Sequence, residues 1–168
     1  AVTGSGKTIA FAVAAVEACS RLERGPVRVV CVSPTRELAA QTSRVFATLC
    51  KAHALNSELI TGGSTVEAPE RCDILIATPG RLDDLLTRAI IDVAGVELLI
   101  LDEADVLLEL GFALQIDRIM KRLPRQRRTC LFSATQTRAV RDLARAGLRN
   151  PASVSVKVHS GSETGQTP

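Results

Sequence analysis

The sequence predicts an α/β protein in which a parallel sheet carries helices on both faces. Three observations predict it. Apolar strand-like runs alternate with helix-like stretches along the chain, the pattern of repeated strand–helix–strand units. Several runs, such as Val29-Val30-Cys31-Val32 and Leu98-Leu99-Ile100-Leu101, are apolar at every position, which suits strands covered on both sides. And 46% of the 168 residues are hydrophobic while only 2% are aromatic, so a disordered chain is excluded and the core is expected to be aliphatic, built from Val, Leu, Ile and Ala.

Taken in order, the Ala- and Val-rich stretch behind the first glycines predicts a helix over 6–24. A run apolar on both sides predicts a strand over 27–33, and a helix over 36–53 follows, with Thr35 as its N-cap. Strands are expected at 58–61 and 73–78, a helix at 81–89, a strand at 98–102, a helix at 111–122, a strand at 129–133, a helix at 138–148 and a last strand at 153–158. In such folds ligands bind where the strands end at their carboxyl edge, and the loops that carry chemistry here all follow strands. From Ser160 the sequence Ser-Gly-Ser-Glu-Thr-Gly-Gln-Thr-Pro reads as a flexible tail or linker. The expected organisation is one domain over 1–158 and a tail over 159–168.

Net charge is +3, from 21 Lys and Arg against 18 Asp and Glu, which permits phosphate contacts without demanding them. The scarcity of aromatics means that nucleic-acid contact cannot rest mainly on base-stacking platforms. Cys19, Cys31, Cys50, Cys72 and Cys130 are scattered, with no two at metal-ligand spacing. Cys31 and Cys130 lie in apolar runs and are expected to pack as small hydrophobes, which favours a reducing compartment. No apolar stretch is long enough to span a bilayer and no signal peptide is visible, so no membrane association is expected. The chain starts at Ala1, inside a motif, and is therefore expected to be a piece of a longer one.

That motif is Ala1-Val2-Thr3-Gly4-Ser5-Gly6-Lys7-Thr8. Gly6-Lys7-Thr8 ahead of a helix is the core of a P-loop. Small residues let the backbone curl round a phosphate with its N–H groups turned inward, and the positive end of the helix adds to the attraction. Lys7 would reach the β- and γ-phosphates of ATP and the Thr8 hydroxyl would ligate Mg²⁺. A bland alternative is a Gly-rich turn with an exposed lysine. The second half of such a site is an apolar strand running into acids, and Leu98–Leu101 runs into Asp102-Glu103-Ala104-Asp105. Asp102 would hold Mg²⁺ through water, and Glu103 would orient or deprotonate the attacking water. Alone, these acids could be an ordinary helix start.

With both boxes present, the chain resembles the DEAD-box RNA helicases of superfamily 2. The motifs occur in that family's order up to about residue 158. Pro34-Thr35-Arg36-Glu37-Leu38-Ala39 resembles motif Ia, Gly62-Gly63 the GG motif, Thr78-Pro79-Gly80-Arg81 motif Ib, Asp102 to Asp105 motif II, and Ser133-Ala134-Thr135 motif III. Ala1 stands where the general P-loop has Gly, the usual form in this family. The stretches Phe132–Thr137 and Arg145–Pro151 are similar to a narrower, nucleolar branch that assembles the large ribosomal subunit, although residues 64–71 and 90–97 are short compared with it.

The resemblance implies a RecA-like domain and an ATP-dependent RNA helicase with Mg²⁺ as cofactor. Pro34, Thr35, Arg36, Gly62, Gly63, Thr78, Pro79, Gly80 and Arg81 would hold RNA by sugar and phosphate, independent of sequence. Plainer readings are helix caps and a turn, with Gly62 and Gly63 otherwise admitting close approach of the RNA strand. Ser133 and Thr135 would hydrogen-bond near Asp105 and couple ATP state to strand separation. Pre-ribosomal particles would be partners and the nucleolus the location, or otherwise the cytoplasm. His53 and His159 read as surface residues, and the basic run 121–128 as a solvated helix end or a basic patch.

The resemblance also implies needs that this chain does not meet. Arginine fingers would come from a second RecA-like domain. The upstream aromatic and Gln that read adenine, and the strand ahead of the P-loop, are not in the sequence, and losing that strand would leave unpaired edges. The chain alone is therefore expected to be poorly stable, with little RNA-stimulated ATPase activity. An ATP-gated RNA clamp with slow turnover would use the same residues. A DNA translocase of the wider superfamily is disfavoured by the Asp-Glu-Ala-Asp and Pro-Thr-Arg-Glu-Leu-Ala motifs.

Overall fold

The computed structural model of the protein describes residues 6–21, 26–63 and 71–155. The elements in them are α1 (Lys7–Ser20), β1 (Val29–Val32), α2 (Arg36–Ala52), β2 (Ser57–Ile60), β3 (Ile74–Ala77), α3 (Pro79–Thr87), β4 (Leu98–Leu101), α4 (Ala104–Glu109), α5 (Ala113–Arg122), β5 (Arg128–Leu131) and α6 (Arg138–Gly147). The strands form one five-stranded sheet in the order β2-β3-β1-β4-β5, parallel throughout.

Alternation along each strand sends side chains to two cores. Val30, Val32, Leu75, Ala77, Leu99 and Leu101 share one cluster with Leu82, Leu85 and Leu86 of α3, Leu107 of α4 and Ile116 and Ile119 of α5. Val29, Cys31, Ile74, Ile76 and Ile100 share the other with Phe11, Ala12, Ala15 and Val16 of α1 and Ala39 and Phe46 of α2. The three inner strands are thus covered on both faces, which is why β1 and β3 are apolar at all four positions.

Several expected boundaries shift for local reasons. Helix α3 begins at Pro79 rather than Arg81, because proline's fixed φ and missing N–H cost nothing in a first turn. Helix α5 begins at Ala113 because Gly111 turns at φ +82°. The short helix α4, opened by the acidic box itself, is not foreseen, since six residues are too few to show a helical period. Of the strand expected at 153–158, residues 153–155 carry no strand pairing and 156–158 lie outside the described residues, as do 22–24 of the first helix, the tail 159–168 with His159, and Ala1, Val2, Thr3, Gly4 and Ser5 of the phosphate loop.

Two expectations about the core are corrected. Cys130 is exposed rather than packed as a small hydrophobe, because β5 ends the sheet among the described residues and pairs only with β4. Nor is the core wholly aliphatic. Three of the four phenylalanines meet under α1: the Phe11 ring lies 5.0 Å from that of Phe132 and 6.2 Å from that of Phe46. Among the described residues no helix is long and apolar enough to cross a membrane.

Candidate functional site

The strands end in register. Val32 lies opposite Ala77 and Leu101, Ala77 opposite Ile60, and Leu101 opposite Leu131. The chain therefore leaves every strand at one edge, where ligands of open parallel sheets sit. In sheet order that edge carries Gly62 and Gly63 after β2, Thr78 after β3, Pro34 and Thr35 after β1, Asp102 after β4 and Ser133 after β5.

At the β4–β5 end, Gly6 caps α1 in the left-handed conformation (φ +70°), with no side-chain cap and no acid in the first turn. A helix start of this kind favours an anion at its leading N–H groups. Lys7 and Thr8 are half-buried on that turn. Asp102 is 6% exposed and its N–H donates to the Val32 carbonyl at 2.9 Å. Burial, with help from the Glu103 charge, pushes the Asp102 carboxyl up to about 6, while the Glu103 N–H and the Lys7 ammonium pull it back. The Lys7 ammonium is thus near enough to act on the Asp102 carboxyl. An open groove along the outer edge of β5 also brings Gly6 and Lys7 together with Ser133 and Thr135.

Glu103 adopts φ 49°, ψ 55°, a left-handed conformation worth about 1–2 kcal/mol of strain in a residue with a Cβ. It is held there by two bonds, Ala104 N–H to the Phe132 carbonyl at 2.8 Å and Leu107 N–H to the Glu103 carbonyl at 2.9 Å. Nothing in the sequence signalled that turn. Next to it, Asp105 Oδ2 accepts from the Thr135 N–H at 3.1 Å and from Thr135 Oγ1 at 2.9 Å. Ser133 Oγ donates to the Thr135 carbonyl at 2.7 Å. Burial would raise the Asp105 carboxyl, but the Thr135 and Ser133 hydroxyls outweigh it and hold the group below its ordinary range. The acidic box and the turn after β5 are therefore one hydrogen-bonded unit.

The other half of the edge combines the expected helix caps with a contact across the fold. Pro34 is buried, and the Thr35 hydroxyl accepts from the Leu38 N–H at 3.2 Å as a helix cap. Arg36 is exposed but lies over the glycine pair: a Cβ on Gly62 would come 3.0 Å from Arg36 Nη2, and one on Gly63 3.6 Å from Nη1. In this structure the space those glycines leave is taken by a guanidinium, which joins the Ia-like and GG-like segments. Thr78 caps α3 without a side-chain hydrogen bond, Pro79 is buried, and Gly80 is exposed with open space about it. Arg81 is 19% exposed and ion-paired with Asp84 at 2.9 Å, so it is committed to its own helix.

A DEAD/DEAH box helicase family model matches residues 1–143. The chain is 50% identical to DEAD-box ATP-dependent RNA helicase 18 of Arabidopsis thaliana, over 99% of this chain and 30% of that protein. It is 45% identical to human ATP-dependent RNA helicase DDX55, over 94% and 29%, so it spans about a third or less of the length of these relatives. Among solved structures, Saccharomyces cerevisiae Dbp5 bound to RNA and ADP BeF3 superposes with a TM-score of 0.83 at 30% identity, covering 94% of this chain and 40% of that one. A DEAD box protein from Methanococcus jannaschii superposes with a TM-score of 0.82 at 33% identity, covering 89% and 42%. The motif order, the RecA-like sheet and these matches agree: the chain belongs to the DEAD/DEAH box helicase family.

Proposed function

We propose that this chain is the nucleotide-binding domain, over 1–158 with 159–168 as a linker, of an ATP-dependent RNA helicase. The observation that carries the proposal is a buried Asp102, acted on by the Lys7 charge, at a sheet edge that continues into Arg36, Gly62 and Thr78. The loop Ala1–Thr8 would wrap the ATP phosphates, with Lys7 on the β- and γ-phosphates. Mg²⁺ would neutralise charge on those phosphates, held by Thr8 and Asp102. The residues fit: Asp102 is a buried carboxyl pushed up to about 6 by desolvation and the Glu103 charge, and a divalent cation would offset that burden.

Glu103, beyond Asp102, would orient the attacking water. Asp105 passes the state of this end to Ser133 and Thr135 through the bonds already described. RNA would lie along the β1–β3–β2 half, held through phosphates by Arg36 and the first turns of α2 and α3. A second RecA-like domain would supply arginine fingers and close over the RNA. The similarity of 132–137 and 145–151 to the ribosome-assembly branch supports pre-ribosomal RNA as the substrate and the nucleolus as the location. An ATP-gated clamp would use the same groups, and long RNA residence without strand release would favour it.

The test is nucleotide binding. Lys7→Ala is expected to weaken the affinity for a fluorescent ATP analogue about 10- to 100-fold, the loss of charge-assisted bonds worth about 1.5–3 kcal/mol. Wild-type affinity in that variant would remove the reading. For the RNA half, Gly62→Ala should weaken oligonucleotide binding by pushing Arg36 aside, with a coupling of about 0.5–1 kcal/mol to that residue. In an Arg36→Ala background the same change should have no further effect, and additive losses would show that the glycine serves something else.

A further inference from the structure

The first turn of α3 carries Thr78, Pro79, Gly80 and Arg81, and its placement depends on how α3 sits on α5. Leu82, Leu85 and Leu86 pack with Ile116 and Ile119 in one core cluster. Set into that apolar contact is one carboxylate. Asp83 is 8% exposed. Its Oδ2 accepts from Arg118 Nε at 2.9 Å and from Arg118 Nη2 at 2.6 Å. Its Oδ1 has no hydrogen-bond partner among the described residues and lies 3.7 Å from Arg122 Nη1. Both arginines belong to α5. The neighbouring Asp84 pairs within its own helix, with Arg81 and Arg88.

A buried carboxylate ringed by arginines is a poor source of stability, since apolar residues of similar volume usually do as well or better. What it adds is direction. Leucine and isoleucine tolerate small sliding of one helix on another, whereas two guanidinium donors converging on one oxygen hold only within a narrow range of distance and angle. Asp83 lies two residues beyond Arg81, so the fixed point and the exposed turn belong to one short rigid piece. The helix it is fixed to, α5, is separated from the acidic box in the chain only by the short helix α4.

We infer that Asp83 is a positioning residue: clasped by Arg118 and Arg122 of α5, it sets the orientation of α3 and so of the Thr78–Arg81 turn that meets the RNA backbone. The inference rests on the proposed RNA-binding role of that edge. It predicts that removing the clasp lowers RNA affinity without lowering stability.

The experiment measures three quantities for the chain: affinity for a fluorescein-labelled single-stranded oligouridylate, melting temperature, and amide exchange in the first turn of α3. Asp83→Leu combined with Arg118→Met replaces the clasp by an apolar pair and is expected to melt at or above wild type. It should nevertheless lose RNA affinity about 3- to 30-fold and exchange its Arg81 and Leu82 amides faster. A stable variant with wild-type RNA affinity and exchange overturns the inference. Should the double variant fail to fold, Asp83→Asn, which keeps the shape, decides on the same terms. Arg36→Ala serves as a separate control. If it leaves RNA affinity unchanged, the RNA reading of the edge has failed, whereas loss in Arg36→Ala but not in the Asp83 variants rejects the clasp alone.

Discussion

Asp102→Asn should melt higher than the wild-type domain at pH 7.5 in the absence of nucleotide and metal, while greatly slowing magnesium-dependent ATP turnover. Burial raises the Asp102 carboxyl from 3.8 to about 6. The folded protein therefore binds the proton more tightly than the unfolded chain. For such a group, stability is fully present below about pH 4, falls as pH rises, and is lost above about pH 6. The difference of about two pH units corresponds to about 3 kcal/mol at pH 7.5, and about half of that at pH 5. Asparagine fills the same space without the charge. The expected gain is about 2–3 kcal/mol, or about 5–10 °C in melting temperature for a domain of this size, shrinking as the buffer is taken to pH 5 and nearly gone at pH 4. Activity moves the other way. With the proposed metal-holding carboxylate gone, turnover in a chain joined to a second RecA-like domain should fall by about 10²–10³. Melting scans of both proteins at pH 4, 5 and 7.5 check the first half. A variant that melts at or below wild type at pH 7.5 would show that the site's desolvation is not a net burden on the fold.

This opposition between stability and activity bears on how much of the protein is legible from its residues. The inner strands announce themselves, because a strand covered on both faces must be apolar at every position, and Val29–Val32 and Leu98–Leu101 are. The carboxyl-edge placement of Lys7, Asp102 and Ser133 follows from parallel topology, and so was legible once the strands were. What the sequence hides is what depends on distance across the fold. The left-handed turn at Glu103 is held by a carbonyl from Phe132, 29 positions away in the sequence. The guanidinium of Arg36 lies over Gly62 and Gly63, a contact between two segments some 26 positions apart in the sequence. Asp83 and Asp84 look alike in sequence, yet one reaches across to α5 and the other folds back on its own helix. Pairings of this kind carry no periodicity and leave no local signature.

Low aromatic content conceals a further device, and it yields a large expected effect on stability. Phe11 is 4% exposed, with the Phe46 ring of α2 on one side and the Phe132 ring at the end of β5 on the other. It lies one helical turn beyond Lys7, so the residue that anchors α1 in the core also fixes the turn proposed to meet the phosphates. Phe11→Ala removes that anchor and leaves a cavity between elements held apart by the sheet, with an expected cost of about 3–5 kcal/mol. Against the roughly 5–15 kcal/mol of a whole domain, this is a lowering of the melting temperature by about 10 °C or more. Phe11→Leu keeps most of the volume and should cost about 1–2 kcal/mol. Leu114→Ala, at a side chain 70% exposed, should stay within about 0.5 kcal/mol of wild type. The series separates packing from hydrophobicity as such, because all three changes remove apolar atoms and only the first removes the contact between α1, α2 and β5. Nucleotide affinity should follow the same order when measured below the melting range, as Lys7 loses the seat of its helix. A Phe11→Ala protein that melts within 2 °C of wild type, or that melts low yet binds nucleotide as before, would show that α1 is held by something other than this ring cluster.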